Sequence, residues 1–362
     1  MRIIISGGGT GGHVYPAIAI ANALKERGVK DILFVGAKGK LEMDKVPKAG
    51  YEIQGLDIQG FHRTRKWRNV LFPFKLLGSL IKAKKIIDKF GPDVVVGVGG
   101  YASGPVLKIA QLKKIPTVIQ EQNSYPGVTN KLLAAAASRI FVAYNNMNAF
   151  FSESKITLTG NPVRKDLLSI NHLRSEGFKH FGLSEGKKTL LIFGGSLGAR
   201  ALNEAVLAQA KILASQRDVQ LVWQVGKIYY DRYKNCELAN LEHVKILPFI
   251  DRMDLAYSVA DVIACRAGAL TISELTLVAK PSILVPSPNV AEDHQRKNAE
   301  ALVNEGAALL VTDDEAKEKL IPDCLDLLQN DKLKEKLSLE IQKLAKPDAR
   351  DVIAKGILDI VK

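Results

Sequence analysis

Short, nearly unbroken apolar runs alternate along this chain with stretches whose apolar residues recur at helical spacing. The runs at 3–5, 32–35, 94–98, 117–120, 140–143, 189–193, 220–224, 262–265 and 282–285 read as strands. Stretches such as 17–27 and 203–214 read as helices, and 348–361 reads as one more after Pro347. Strands without a polar face must be covered on both sides, and the intervening helices supply that cover. The pattern therefore predicts parallel sheets in an α/β fold.

The pattern also repeats. A strand runs into a glycine-rich turn and then a helix at Ser6-Gly7-Gly8-Gly9-Thr10-Gly11-Gly12, and again at Gly194-Gly195-Ser196-Leu197-Gly198-Ala199. At 362 residues the chain exceeds one ordinary core. Two Rossmann-like domains follow, 1–162 and 163–340, joined near Gly160-Asn161-Pro162-Val163-Arg164. Residues 341–362 are expected to form a C-terminal helix that returns toward the first domain. Ligands on such sheets bind outside the carboxyl ends of the strands, where the glycine turns lie. A cleft between the two domains is the expected site.

The turns carry the candidate chemistry. Glycines in the first let backbone N–H groups approach a ligand, and the helix start behind it favours anions. His13, just past that loop, suits a general base, or else caps or props the helix. The segment 97–105 follows another strand, and Gly99, Gly100, Tyr101 and Ser103 offer a cradle for a second anionic group such as a diphosphate. Glu121-Gln122-Asn123 brings polar side chains to the same edge, or is simply loop chemistry. Glu121 is the next candidate base after His13. In the second half, Ser196 offers a hydroxyl beside backbone donors. Glu274 follows Arg266-Ala267-Gly268, where a carboxylate can accept two ribose hydroxyls, or can merely complement a helix dipole in a first turn. Asp293-His294-Gln295 opens a further helix with donors for sugar hydroxyls. No HExxH or DxD occurs and no Cys/His cluster forms, so no metal site is expected and the charge of a diphosphate falls to helix N-termini and basic side chains.

Charge sharpens this picture. Residues 1–160 hold 23 Lys and Arg against 10 Asp and Glu, whereas 161–362 hold 28 of each, so the whole excess of +13 lies in the first half. Such one-sidedness suits an anionic surface or ligand. Residues 58–87 contain no acid and interleave Arg63, Arg65, Lys66, Trp67, Arg68, Phe72, Phe74, Lys82, Lys84 and Lys85 with aliphatic residues. That mixture describes an anionic membrane surface contact across 63–85, or an amphipathic helix with a solvated outer face. No apolar run approaches the roughly 18 residues of a spanning helix. The glycines follow the first apolar run at once, so no signal peptide is expected. With three scattered cysteines and no CxxC, the cytoplasm is the expected compartment.

Residues 7–16, 97–105, 121–123, 160–164, 194–200, 266–274 and 293–298 resemble, in order and across almost the whole chain, the motifs of the MurG family. Those bacterial enzymes move N-acetylglucosamine from UDP-N-acetylglucosamine to undecaprenyl-diphospho-muramoylpentapeptide. The resemblance implies a GT-B fold, with the acceptor in the N-terminal domain and the donor in the C-terminal one. It implies an inverting, metal-free reaction without cofactor, on the cytoplasmic face of the membrane as a peripheral protein. Position by position, it implies that Thr10, Gly11, Gly12, Asn123, Arg164 and Ser196 line the sugar–diphosphate site. Ile250 would meet the uracil through its backbone, Ala269, Leu270, Thr271, Ile272, Ser273 and Glu274 would hold diphosphate and ribose, and Gln295 would hold the sugar. His13 corresponds to the base.

Four rivals compete with that reading. A lipid galactosyltransferase or a UDP-N-acetylglucosamine 2-epimerase shares the fold, but an epimerase has no use for the acid-free stretch. A nucleic-acid binder would suit the isoelectric point of 9.4 yet leave both glycine loops and Glu274 idle, so no nucleic acid is expected. A nicotinamide dehydrogenase wants an acid about 20 residues past GxGxxG, and the region 24–30 gives only Glu26, in a helix.

Overall fold

The computed structural model describes residues 1–58, 60, 72–290 and 293–361. The chain divides into two compact units, Met1–Val163 with Lys346–Lys362, and Arg164–Ala345.

The first unit is a seven-stranded parallel sheet. Its strands are β1 (Arg2–Ser6), β2 (Asp31–Ala37), β3 (Glu52–Leu56), β4 (Val94–Gly97), β5 (Thr117–Glu121), β6 (Arg139–Val142) and β7 (Ile156–Leu158). They lie in the order β3-β2-β1-β4-β5-β6-β7. Crossovers between them are α1 (Gly11–Glu26), α2 (Glu42–Lys48), α3 (Phe72–Phe90), α4 (Ser103–Leu112) and α5 (Val128–Ala134). Ile3 and Ile5 face one layer with Val14, Ile20 and Leu24, while Ile4 faces the other with Val106 and Leu107. Fully apolar strands are thus buried on both faces, as their sequence demands.

The second unit repeats the plan with α6 (Arg174–Phe181), β8 (Lys188–Phe193), α7 (Arg200–Ala208), α8 (Ala210–Ser215), β9 (Val219–Gln224), α9 (Tyr230–Tyr233) and β10 (Val244–Leu247). It continues through α10 (Met253–Val259), β11 (Val262–Cys265), α11 (Ala269–Val278), β12 (Ser282–Leu284), α12 (His294–Val303), β13 (Leu309–Leu310), α13 (Ala316–Gln329) and α14 (Asp331–Lys343). The strand order is β10-β9-β8-β11-β12-β13, all parallel. In each sheet the winding reverses between two strands, β1 and β4 in the first and β8 and β11 in the second. Ligands in doubly wound sheets bind at that reversal.

The last helix, α15 (Ala349–Val361), belongs to the first unit. Ile353, Ala354 and Ile357 bury against the layer containing Ile20 and Leu24. Each buried isoleucine contributes about 1.5–3 kcal/mol. Arg350 pairs with Glu26, and Arg27 with Asp351 at 2.8 Å. Gly356 lets the helix close on the sheet, since a Cβ there would sit 2.6 Å from Phe141 Cζ.

Candidate active site

Both loops at the first reversal are built by close backbone contact. Gly100 has φ of 83°, and a Cβ on it would lie 2.3 Å from the carbonyl oxygen of Gly8. Glu42, at the start of α2 and 1% exposed, fastens the first loop. Its carboxylate accepts the Gly9 N–H at 2.8 Å and the Ala37 N–H at 2.9 Å, joining the exits of β1 and β2. Gly8 and Gly36 leave room for it: a Cβ on either would stand within 2.5 Å of the Glu42 side chain. Thr10 then precedes α1 in extended conformation, and Gly11, Gly12 and His13 form its first turn.

His13 Nδ1 lies 2.9 Å from Gln122 Oε1, so the first turn of α1 meets the residue after β5. Gly99 permits this, because a Cβ there would stand 2.9 Å from the ring's Cε1. Gln122 is itself held from behind, its Nε2 donating to the carbonyl of Val98 at 2.9 Å and of Gln120 at 3.1 Å. Gln120 donates to Asn161 Oδ1 at 3.0 Å, and Asn161 donates to the Gln122 carbonyl at 3.0 Å.

Two neighbours turn out to be architectural. Glu121 is buried and accepts the Asn123 N–H at 3.0 Å, Asn123 Nδ2 at 3.2 Å, the Gly127 N–H at 3.1 Å and Asn130 Nδ2 at 2.8 Å. Both of its oxygens are taken by these donors within its own loop, so it shapes the chain before α5. Ser103 is buried with its hydroxyl donating to the Gly100 carbonyl at 2.8 Å, so it closes the turn instead of offering its hydroxyl to a ligand. Tyr101 is exposed beside Gly60.

At the second reversal, Gly195 and Gly198 have φ of 85° and 77°, and the loop carrying Ser196 stands exposed after β8. Gln224 fixes it, accepting the Gly194 N–H at 3.2 Å and donating to the Gly195 carbonyl at 3.0 Å. Ile250 sends its side chain into the core, which leaves its backbone as its polar surface.

The loop after β11 leads into α11, whose first N–H groups belong to Ala269, Leu270 and Thr271. Arg266 is drawn away toward Asp313 and donates to the Val285 carbonyl at 3.0 Å. Ile272 packs into the core, and the Ser273 hydroxyl donates to the Ala269 carbonyl at 3.0 Å. Glu274 stands on the second turn of α11, not the first, so a dipole-complementing role does not account for it. Its Oε2 accepts the Tyr257 hydroxyl at 2.8 Å, and its Oε1 lies 3.8 Å from Arg164, which also reaches Asp166 at 3.8 Å. Burial raises the Glu274 carboxyl pKa, Arg164 and Tyr257 pull it back, and Asp166 adds to the rise. Gln295, on the first turn of α12, accepts the Ser287 N–H at 2.9 Å through Oε1, so its amide NH₂ is the group it can turn to a sugar.

The structure thus gathers Thr10, Gly11, Gly12, His13, Gly99 and Gly100 at one reversal. It gathers Ala269, Leu270, Thr271 and Glu274 with Arg164 within the second unit. Sequence reasoning did not single out Glu42, Gln224 or Tyr257, all of them polar groups that grip loops or site side chains. In the acid-free stretch, Arg63, Arg65, Lys66, Trp67 and Arg68 lie outside the described residues. On α3, Phe74, Leu77 and Ile81 are exposed at 72%, 58% and 52%, whereas Ala83, Ile86 and Ile87 are buried. Two of the expected surface cations have other partners: Lys82 donates to the Gly55 carbonyl at 2.7 Å, and Lys84 pairs with Asp88 at 2.7 Å.

Residues 3–142 match the glycosyltransferase family 28 N-terminal domain, and residues 189–353 match the family's C-terminal domain. A Flavobacterium psychrophilum protein named UDP-N-acetylglucosamine–N-acetylmuramyl-(pentapeptide) pyrophosphoryl-undecaprenol N-acetylglucosamine transferase is 53% identical over 363 residues, covering 100% of this chain and 98% of that protein. A Bacteroides fragilis protein of the same name is 52% identical, covering 100% and 96%. Among solved structures, Acinetobacter baumannii MurG superposes with a TM-score of 0.75 at 29% identity, covering 99% of both chains. A Neisseria meningitidis UDP-GlcNAc 2-epimerase bound to UDP-GlcNAc gives 0.70 at 14% identity over 99% and 100%, a likeness of fold.

Proposed function

The chain belongs to glycosyltransferase family 28, with the α/β GT-B fold, and from that premise we propose that it makes the glycan bond of a lipid-linked cell-wall precursor. It transfers N-acetylglucosamine from UDP-N-acetylglucosamine to undecaprenyl-diphospho-N-acetylmuramoyl-pentapeptide, the step from lipid I to lipid II in peptidoglycan synthesis. The observation that carries this reading is the end-to-end likeness, 53% identical over the full chain, to a transferase of that name.

The site supports how the reaction runs. Glu274, its orientation fixed by Tyr257, accepts the ribose hydroxyls of UDP. The N–H groups of Ala269, Leu270 and Thr271, with the loop at Ser196, receive the diphosphate, and Arg164 adds positive charge. Ile250 meets the base through its backbone, and Gln295 offers its amide to the sugar. Asn123, Thr10, Gly11 and Gly12 complete the sugar–diphosphate contacts, and Gly99, Gly100 and Tyr101 meet the acceptor diphosphate. The acceptor hydroxyl attacks C1 as the bond from C1 to the β-phosphate oxygen breaks. Its proton passes to His13, and UDP departs with the electron pair, so the anomeric centre inverts. Without a DxD triplet, the charge on the leaving UDP falls to these N–H groups and to Arg164.

The protein works as a peripheral enzyme on the cytoplasmic membrane face. Among the described residues no helix is long and apolar enough to cross a membrane. The outer face of α3 presents Phe74, Leu77 and Ile81 at i, i+3 and i+7, next in sequence to the basic residues 63–68. The test is a transfer assay with radiolabelled UDP-N-acetylglucosamine and a short-chain analogue of the lipid acceptor. Label in a disaccharide lipid with release of UDP is expected. Free N-acetylmannosamine with UDP would instead identify an epimerase.

A further inference from the structure

We infer that Gln122 is a positioning residue that fixes His13 in one tautomer, with the proton on Nδ1 and the lone pair on Nε2. The constraint on the ring starts behind the histidine. Gln122 Nε2 faces the carbonyl oxygens of Val98 at 2.9 Å and Gln120 at 3.1 Å. Carbonyls only accept, so the amide cannot turn over without setting oxygen against oxygen. The remaining atom, Oε1, is therefore what meets His13 Nδ1 at 2.9 Å, and it too only accepts. Nδ1 must donate. In the neutral ring the lone pair then belongs to Nε2, which is the atom able to take a proton.

The constraint extends further into the unit. Gln120 turns its carbonyl oxygen toward Gln122 and donates to Asn161 at 3.0 Å, and Asn161 donates to the Gln122 carbonyl at 3.0 Å. All three amides are at least 98% buried, so water offers no substitute partner. Each amide fixes its neighbour's orientation, and the set ends on His13. A network satisfied in only one arrangement holds a unique geometry. An unconstrained imidazole, by contrast, favours its proton on Nε2, the tautomer that blocks the basic nitrogen.

The catalytic part of this inference rests on His13 being the base, and the experiment separates the two. Full-length protein is labelled with ¹⁵N-histidine, and the tautomer is read by long-range ¹H–¹⁵N correlation, with His13 assigned from its loss in His13→Ala. The parent should show the neutral ring protonated on Nδ1. Gln122→Met, similar in shape but unable to accept strongly or donate, should move the proton to Nε2. Turnover should fall on the order of ten- to a hundredfold, part of the roughly 10²–10⁴ a positioned base supplies, with UDP affinity unchanged. Gln122→Glu retains an acceptor and should keep the proton on Nδ1. A parent ring protonated on Nε2, or an unchanged tautomer in Gln122→Met, overturns the inference. Should Gln122→Met fail to fold, the parent spectrum alone decides. Normal turnover in His13→Ala alongside the expected tautomers would remove His13 as base and leave Gln122's hold on the ring intact.

Discussion

The buried hydroxyl of Tyr257 donates a 2.8 Å hydrogen bond to Oε2 of Glu274 and so fixes a carboxylate that would otherwise rotate in its pocket. Tyr257 belongs to α10 and Glu274 to α11, so the bond also ties two helices that flank β11. Glu274→Ala should weaken UDP binding by about 1–3 kcal/mol, the value of hydrogen bonds to a charged group. Tyr257→Phe should lower stability by about 1–3 kcal/mol, because the buried carboxylate loses a donor. Isothermal calorimetry and chemical denaturation read the two effects separately, and parental values in both would refute this role.

The raised pKa of Glu274 has a sign that can be checked. As pH rises from the ordinary carboxylate range, the unfolded chain ionises this group first, so stability falls until the folded pKa is passed. On the proposed ribose role UDP binding draws on the ionised form, and it should strengthen over that same window. Arg164→Ala removes an influence that lowers this pKa, so the strengthening should begin at higher pH. Calorimetric titrations across the acidic-to-neutral range should show this dependence in the parent and its loss in Glu274→Gln.

His13→Ala should reduce turnover about 10²–10⁴-fold while leaving UDP affinity close to the parent. Single-turnover kinetics with saturating donor measure the first and calorimetry the second. Normal turnover would exclude His13, and Glu121, both of whose oxygens are engaged by donors of its own loop, is not placed to substitute for it.

Glu42→Ala should cost about 2–4 kcal/mol of stability, since the N–H groups of Gly9 and Ala37 both lose their acceptor. Glu42→Gln retains one acceptor oxygen and should cost less. Denaturant unfolding followed in the first unit orders the two variants, and an alanine variant as stable as the parent would show that the loop holds itself.

Changing Phe74, Leu77 and Ile81 to Ser should weaken binding to anionic vesicles at low and high salt alike. Changing Arg65, Lys66, Arg68 and Lys75 to Ser should remove mainly the salt-sensitive part, about 1 kcal/mol for each charge at the surface. Co-sedimentation at two ionic strengths distinguishes them. Activity on a soluble acceptor should persist in both, and parental sedimentation of both would place the membrane contact elsewhere.

What the sequence revealed and what it hid follow from burial. All nine strands read from apolar runs are present, and the four that escaped notice, β3, β7, β10 and β13, are the edges of the two sheets. Edge strands bury less, as the half-exposed residues of β7 and β13 illustrate; β3, β7 and β10 interrupt their apolar residues with polar ones, and β13 is only two residues long. The glycine loops were legible because their chemistry is local. Glu42, Gln224 and Tyr257 were not, because each acts on a group brought near only by folding: Gln224 on Gly194, thirty residues away, and Tyr257 on Glu274, seventeen away. A hydrogen bond across such separations leaves no periodic trace.

The return of α15 to the first unit sets the order in which a ribosome can finish this protein. The chain leaves the first unit after Val163 and re-enters it at Lys346, so the second unit is encoded as an insertion within the first. During synthesis the second unit emerges whole while the first still lacks the helix that covers Ile20 and Leu24. Until α15 emerges, that apolar layer faces water and is open to chaperones, proteases or other nascent chains. A message truncated just before the codon for Lys346 would therefore yield a well-formed second unit attached to a sheet with one layer uncovered.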